Sequence, residues 1–237
     1  MIKLVGLGEM MSKIRGILFA IYFLISVSIM IILMYLFNKK NRIFRKTWAS
    51  SLLKLFGIKI KTIGTKDPEA KFLIMNHQSM LDIILLEAIE NEDLCWFGKR
   101  EIEKVPLYGH ILKAPKMIIV DREDKRGLIK MLKDIRDRLA NNRVICMFPE
   151  GTRSNGDKLL KFKGGARVIA EKFNIKVQPI VIINAIKGLD SKKLTQNSTE
   201  IKIIYLDSVT PQKGSDWYKN TKEKMEEVLK KELEENR

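Results

Sequence analysis

Residues 72–89 read FLIMNHQSMLDIILLEAI. Four apolar residues suit a buried strand, the polar stretch NHQSMLD interrupts the run, and IILLEAI resumes it at helical length. The same alternation recurs along the chain. Short β-rich runs stand at 58–63, 95–97, 117–120, 144–148, 177–183 and 201–206, the first of them, IKIKTI, with period two. Helical patterns lie between them, clearest at 124–140, where Leu128, Met131, Leu132, Ile135 and Leu139 form one stripe and charged residues fill the opposite face. Strands alternating with helices predict an α/β fold: a single mixed sheet of about seven strands flanked by helices. The closing segment, 216–236, carries a thin stripe of Trp217, Met225, Leu229 and Leu233 among balanced charges and reads as a surface helix.

Of 237 residues, about 35 at the N-terminus stand apart, and the rest suffices for one domain with a full core. Lys and Arg number 44 against 28 Asp and Glu, a formal +16, which favours phosphates on lipid headgroups, nucleic acid or a small substrate without choosing among them. Cys95 and Cys146 each sit in an apolar run, as small buried hydrophobes of a reducing compartment do. His77 and His110 do not combine with them at a spacing that ligates metal, so no metal is expected.

Residues 16–38 (GILFAIYFLISVSIMIILMYLFN) carry no charge and, as a helix, extend about 34 Å, enough to cross a hydrocarbon core of about 30 Å. Fourteen of them are Leu, Ile, Phe or Val, each worth roughly −0.3 to −0.6 kcal/mol near a membrane centre. The run exceeds the apolar region of a cleaved signal peptide and lacks a small-residue cleavage site, so it is expected to remain as an anchor. Lys39, Lys40, Arg42, Arg45 and Lys46 follow it, against Lys3, Lys13 and Arg15 before it, which puts the C-terminal side in the cytoplasm. In 43–57, Ile43, Phe44, Trp48, Leu52, Leu55 and Phe56 fall near one helical face with Arg45, Lys46 and Lys54 off it. That pattern suits an interfacial helix and equally a helix packed on the domain. Residues 1–57 thus read as a membrane anchor and 58–237 as the catalytic domain.

Two stretches carry candidate chemistry. His77 stands at a strand-to-helix corner, where α/β sheets commonly build sites, and its unperturbed pKa of about 6.5 suits proton transfer near neutrality. Asp82 can orient the imidazole if the turn folds back, or can serve only as the acidic member of a capping box with Ser79. The second stretch, FPEGTRS at 148–154, also follows a β run. Gly151 permits close backbone approach to a ligand, Arg153 offers a planar fork to phosphate, and the turn's N–H groups can cradle an anion; the alternative is a plain surface loop.

Taken together and in order, these blocks resemble the glycerolipid acyltransferase superfamily. NHQSMLD resembles its first block, Phe97 to Glu101 with Val105 and Pro106 its second, FPEGTRS its third, and Gln178, Pro179, Ile180 and Val181 its fourth. Ile118 to Arg122 resembles the hydrophobic strand ending in Asp-Arg, and Phe162 to Gly165 follows the third block as it should. The likeness covers about residues 45–210, and the spelling FPEGTRS is most similar to the bacterial 1-acylglycerol-3-phosphate acyltransferases. Ile102 and Gln178 depart from the usual residues of the second and fourth blocks.

The resemblance implies transfer of a fatty acyl group from acyl-CoA or acyl carrier protein to the sn-2 hydroxyl of lysophosphatidic acid, giving phosphatidic acid for phospholipid biosynthesis, with no cofactor. It implies His77 as base and Asp82 as its orienter, with Glu150, Gly151, Thr152 and Arg153 holding the glycerol phosphate. Arg122 and Lys163 are further phosphate candidates, and Lys99 with N–H groups near the corner are candidates for the oxyanion. No Ser or Cys stands in a nucleophile motif, so direct transfer is expected rather than an acyl-enzyme. A phospholipid membrane is the expected partner surface, specifically the cytoplasmic face of a bacterial-type inner membrane. Nucleic acid is not an expected partner, since a basic tether without chemistry leaves the ordered blocks unexplained. Another lysophospholipid, glycerol 3-phosphate or a lyso-aminolipid is the alternative acceptor. His110 matches none of the catalytic blocks and reads as structural.

Overall fold

The computed structural model describes residues 2–121 and 125–235. Helix α1 (Ile2–Leu36) and helix α2 (Asn41–Leu55) precede strand β1 (Ile58–Ile63). Then come β2 (Phe72–Met75), α3 (Leu81–Ile89), β3 (Leu94–Lys99), α4 (Arg100–Glu103), α5 (His110–Lys113), β4 (Ile118–Val120), α6 (Lys125–Ala140) and β5 (Val144–Met147). The chain continues through α7 (Gly165–Phe173), β6 (Val177–Ile183), α8 (Ala185–Gly188), β7 (Leu189–Asp190), β8 (Thr195–Gln196), β9 (Thr199–Tyr205) and α9 (Trp217–Glu235).

Seven strands form one mixed sheet in the order β1-β9-β6-β2-β5-β3-β4, as the alternation of apolar runs predicts. Neighbours from β6 to β4 pair in parallel, β9 runs antiparallel to β6, and β1 lies parallel to β9. The central strands are covered on both faces and therefore read as unbroken apolar runs: β2 and β6 are buried at every position. Edge strand β1 is mostly exposed beyond Ile58, which is why IKIKTI alternates. Gln178 is buried within β6 because its amide closes the start of the strand, accepting from Asp67 N at 2.8 Å and donating to Thr65 O at 2.9 Å. The parallel strands bring their carboxyl ends to one edge of the sheet, and the segments after β2, β5 and β6 meet there.

Two short strands, β7 and β8, form a separate antiparallel hairpin absent from the sequence reading. Helix α1 is longer than the uncharged segment 16–38, starting well before it and ending at Leu36. It is the one helix among the described residues long and apolar enough to cross a membrane. It is fastened to the rest of the chain from its middle to its end, at Arg15, Ser26 and Tyr35. Arg15 donates to Gln196 Oε1 (2.8 Å) and Phe56 O (2.9 Å), Trp48 Nε1 donates to Ser26 Oγ (3.0 Å), and Tyr35 Oη meets His110 Nδ1 at 2.7 Å. Between these ties Phe19 stacks edge-on against Phe56, and Val27, Met30, Ile31 and Met34 pack toward Ala114. The opposite face exposes a stripe including Met10, Ile14, Ile17, Leu18, Ile21, Ile25 and Ile32.

In α2 the buried face differs from the expected stripe. Arg45 is 4% exposed and bonds Glu87 Oε1 at 2.6 Å as well as Asp93, while Arg42 reaches Glu87 Oε2 at 2.5 Å. Ile43 and Leu55 are each 60% exposed. Glu87 and Asp93 thus hold two arginines against the domain, which turns the helix away from its simplest apolar face. Breaking such a buried pair on one side costs on the order of 3–5 kcal/mol.

Candidate active site

His77 leaves β2 into the corner, and Asp82 sits in the first turn of α3. The turn folds back, with His77 Nδ1 2.8 Å from Asp82 Oδ2. The same oxygen accepts N–H bonds from Gln78 (2.7 Å) and Ser79 (2.9 Å), while Ser79 Oγ accepts from Leu81 N at 3.2 Å. Asp82 therefore does both things its position allows, capping α3 and holding the imidazole. A carboxylate is an acceptor only, so Nδ1 carries the hydrogen and Nε2 keeps the lone pair that can take a proton.

The corner is tied to β6. Asn76 exchanges two bonds with Ile182, Gln78 Nε2 donates to Ile182 O at 2.8 Å, and Ser79 Oγ donates to Leu189 O at 2.7 Å. On its other side the imidazole lies flat on Phe148, ring centroids 3.8 Å apart, and Phe148 stacks in turn on Trp96 at 5.6 Å. Trp96 Nε1 donates to Glu87 Oε1 at 2.8 Å, the oxygen that also receives Arg45. A continuous line of contacts therefore runs from α2 to the catalytic candidate.

The loop after β5 is bolted to the corner. Glu150 Oε1 accepts the backbone N–H of His77 at 2.8 Å, its Oε2 accepts that of Leu160 at 2.8 Å, and Ser154 N donates to His77 O at 2.8 Å. Burial outweighs these donors and holds the Glu150 carboxyl above its ordinary 4.5. Glu150 is thus a buried brace. Gly151 has φ +68°, a left-handed turn that Gly adopts without strain. The N–H groups of Thr152 and Arg153 that follow are unpaired among the described residues, an arrangement suited to an anion. Arg153 is exposed, its Nη1 donating to Ser191 Oγ at 2.7 Å across a groove of about 800 Å³. Ser191 has no signal in the sequence.

Two of the remaining candidates, Lys99 and Lys163, fall within the described residues. Lys99 ends β3 at the carboxyl edge of the same sheet, exposed and without a hydrogen bond to the His77 cluster. Lys163 is exposed; its N–H closes the loop on Pro149 O at 2.9 Å, and its carbonyl accepts Tyr218 Oη at 2.8 Å. Arg122 lies outside the described residues. The N–H groups of His77, Gln78 and Ser79 are all taken by carboxylates, so the corner's own backbone does not supply the oxyanion donors expected of it. Cys95 and Cys146 are buried, and burial pushes both thiols up, which removes them as nucleophiles.

The acyltransferase family model matches residues 60–183, from β1 through β6. The chain belongs to the acyltransferase family. A 1-acyl-sn-glycerol-3-phosphate acyltransferase of Helicobacter pylori is 42% identical to this acyltransferase over 224 residues, 92% of this chain and 94% of that one. A lyso-ornithine lipid O-acyltransferase of Rhizobium meliloti is 29% identical over 149 residues, 62% of this chain and 50% of that one. The crystal structure of PlsC, a 1-acyl-sn-glycerophosphate acyltransferase from Thermotoga maritima, superposes on the acyltransferase with TM-score 0.72. It covers 97% of this chain and 96% of its own at 21% identity, a likeness of fold.

Proposed function

We propose that this acyltransferase moves a fatty acyl group from the thioester of acyl-CoA or acyl carrier protein to the sn-2 hydroxyl of 1-acylglycerol 3-phosphate, yielding phosphatidic acid for phospholipid synthesis. The reading is carried by the His77–Asp82 contact of 2.8 Å standing on the same strand edge as the unpaired N–H groups after Gly151. A base and an anion cradle, locked together by Glu150 and Ser154, suit an acceptor that bears both a hydroxyl and a phosphate. The Helicobacter relative bears the name of this activity.

In this mechanism His77 Nε2 takes the proton of the acceptor hydroxyl as its oxygen attacks the thioester carbonyl. Asp82 steadies the imidazolium that forms, and that proton passes to the thiolate when the C–S bond breaks. Ester and free thiol are the products, and a well-placed base contributes about 10² to 10⁴-fold. Arg153 and the N–H groups of Thr152 and Arg153 hold the phosphate, Gly151 shapes that cradle and Glu150 braces it, with Lys163 and, by the family resemblance alone, Arg122 as further phosphate candidates. Lys99 serves the oxyanion. The two deeply buried thiols agree with direct transfer.

Membrane association follows from the apolar outward face of α1. Arg15 and Tyr35 are both tied to the domain and lie about 30 Å apart along the helix, so we read α1 as lying along the membrane surface with the domain rather than projecting through it. The free cysteines suit a reducing compartment, and the lysines and arginines after α1 suit the anionic cytoplasmic leaflet of a bacterial inner membrane.

The test is acyl transfer from labelled palmitoyl or oleoyl thioesters of CoA and carrier protein to lysophosphatidic acid by the purified protein in detergent. His77→Ala and Arg153→Ala are assayed alongside. Phosphatidic acid made by the wild type, abolished by His77→Ala and made with a ten- to hundred-fold higher acceptor KM by Arg153→Ala supports the reading. No product with either donor discards this acceptor, and a panel of other lysophospholipids, glycerol 3-phosphate and lyso-aminolipids then identifies its replacement.

A further inference from the structure

The groove that Arg153 opens onto carries more positive charge than the family's loop supplies. Its far wall is the segment between β6 and β9, where Lys187, Lys192 and Lys193 line it. All three are exposed, and among the described residues none has a carboxylate partner. Lys219, Lys222 and Lys224 of α9, by contrast, each pair with a glutamate one turn away. The acidic residue of the groove, Asp190, turns its Oδ1 to the backbone N–H groups of Lys192 (2.9 Å) and Lys193 (3.2 Å). Arg153 itself is held across the groove by a neutral hydroxyl, that of Ser191. Four cations therefore face a common space with little to offset them, a repulsion that a bound anion relieves.

The wall carrying the lysines is mounted on the apolar helix. Gly16 of α1 abuts the carbonyl of Leu194 so closely that a Cβ there would stand 1.9 Å from the oxygen, and Gln196 accepts Arg15. The other wall holds Gln78, next to the catalytic imidazole. A ligand in this groove thus lies between the helix that meets lipid and the base, the path of a lipid headgroup and not of a donor's soluble end. We propose that α8 and the hairpin after it form the second jaw of the acceptor site: Lys187 of α8 and Lys192 and Lys193 of the hairpin turn hold the phosphate of the acceptor lipid from the side opposite Arg153. Ser191 parks Arg153 across the groove until that phosphate replaces it. This rests on the phosphate-bearing acceptor of the proposed function and assigns its subsite.

The test compares wild type with the triple variant Lys187→Ala/Lys192→Ala/Lys193→Ala. A control of equal charge loss on α9, Lys219→Ala/Lys230→Ala/Lys231→Ala, is run in parallel. In neutral detergent micelles the hairpin variant is expected to raise the KM for lysophosphatidic acid about ten- to hundred-fold, with kcat and the donor KM unchanged and the control behaving as wild type. An unchanged acceptor KM overturns the proposal, as does a rise in the donor KM in its place. Calorimetric binding of glycerol 3-phosphate separates this proposal from the acceptor reading, because it needs no turnover. Binding by wild type that the hairpin variant loses upholds the subsite even where no phosphatidic acid forms. Equal binding by both proteins, or none by wild type, overturns it.

Discussion

The ring of Phe148 lies against the imidazole of His77 at 3.8 Å between centroids and 13° from parallel, and stacks in turn with Trp96 at 5.6 Å. The catalytic candidate is thereby clamped by an aromatic face as well as by the Asp82 carboxylate. Such contacts are worth about 0.5–1.5 kcal/mol beyond their area. Phe148→Leu is accordingly expected to lower kcat by about two- to tenfold while leaving the acceptor KM in place, measured by steady-state transfer to lysophosphatidic acid. A change confined to KM would show that the ring serves binding instead.

Asp82 caps α3 and, in the proposed mechanism, partners the proton-transferring imidazole, and two substitutions separate these duties. Asp82→Asn keeps one oxygen for the Gln78 and Ser79 N–H groups and for Nδ1–H, all of which share Oδ2, but loses the negative charge that steadies the imidazolium. Its activity should fall by roughly 10² to 10⁴-fold with a small change in melting temperature. Asp82→Ala should lose the cap as well, about 1 kcal/mol, seen as a further drop of a few degrees in Tm. Equal melting of the two variants would argue against the cap.

Glu150 is held above its ordinary 4.5 by burial, so the folded protein binds its proton more tightly than the unfolded chain does. The sign follows: stability is greatest below 4.5 for this group and declines as pH rises from there through the raised folded value. Glu150→Gln should erase that decline. It should also destabilise by about 1–3 kcal/mol, because an amide offers only one oxygen to two N–H donors, His77 and Leu160. Thermal melts of both proteins between pH 4 and about 7.5 give the difference curve; a wild-type curve that rises relative to the variant across this window contradicts it.

Gly16 lets α1 close on the hairpin, and no side chain fits at 1.9 Å from the Leu194 carbonyl. Gly16→Ala should therefore pry the two apart at a cost of about 1–3 kcal/mol. It should also raise the acceptor KM by displacing the lysine-bearing wall. Tm and KM measured together test this, and a variant that melts like wild type sinks it.

Much of this architecture was legible because burial leaves a strong local trace. Residues 72–75, 144–147 and 177–183 are covered on both faces and appear as unbroken apolar runs, and the corner after 75 carries its own polar break. The hairpin escaped notice because strands of two residues, Leu189–Asp190 and Thr195–Gln196, are too short for any periodicity. Arg45 was assigned to the outer side of its helix because charge predicts exposure; only the distant Glu87 and Asp93 bring it inside. In the site, His77 with Asp82 and Glu150 with Arg153 lie within short stretches whose residue types announce their chemistry. Phe148 as a ring partner and Ser191 as a rest for Arg153 depend on proximity created by folding, on which spacing along the chain is silent.

The attachment of the hairpin to α1 sets a length. Through Gln196 and Leu194 at one end and Ser79 with Leu189 at the other, the apolar helix α1 and the His77 corner form one stiff piece. With α1 lying along the membrane surface as proposed, such a piece acts as a gauge: the depth at which α1 rests fixes how far a headgroup must rise to bring its hydroxyl to the imidazole. Glycerolipids whose hydroxyl sits one carbon nearer to or farther from the phosphate would then be sorted by height before any pocket had to recognise their shape.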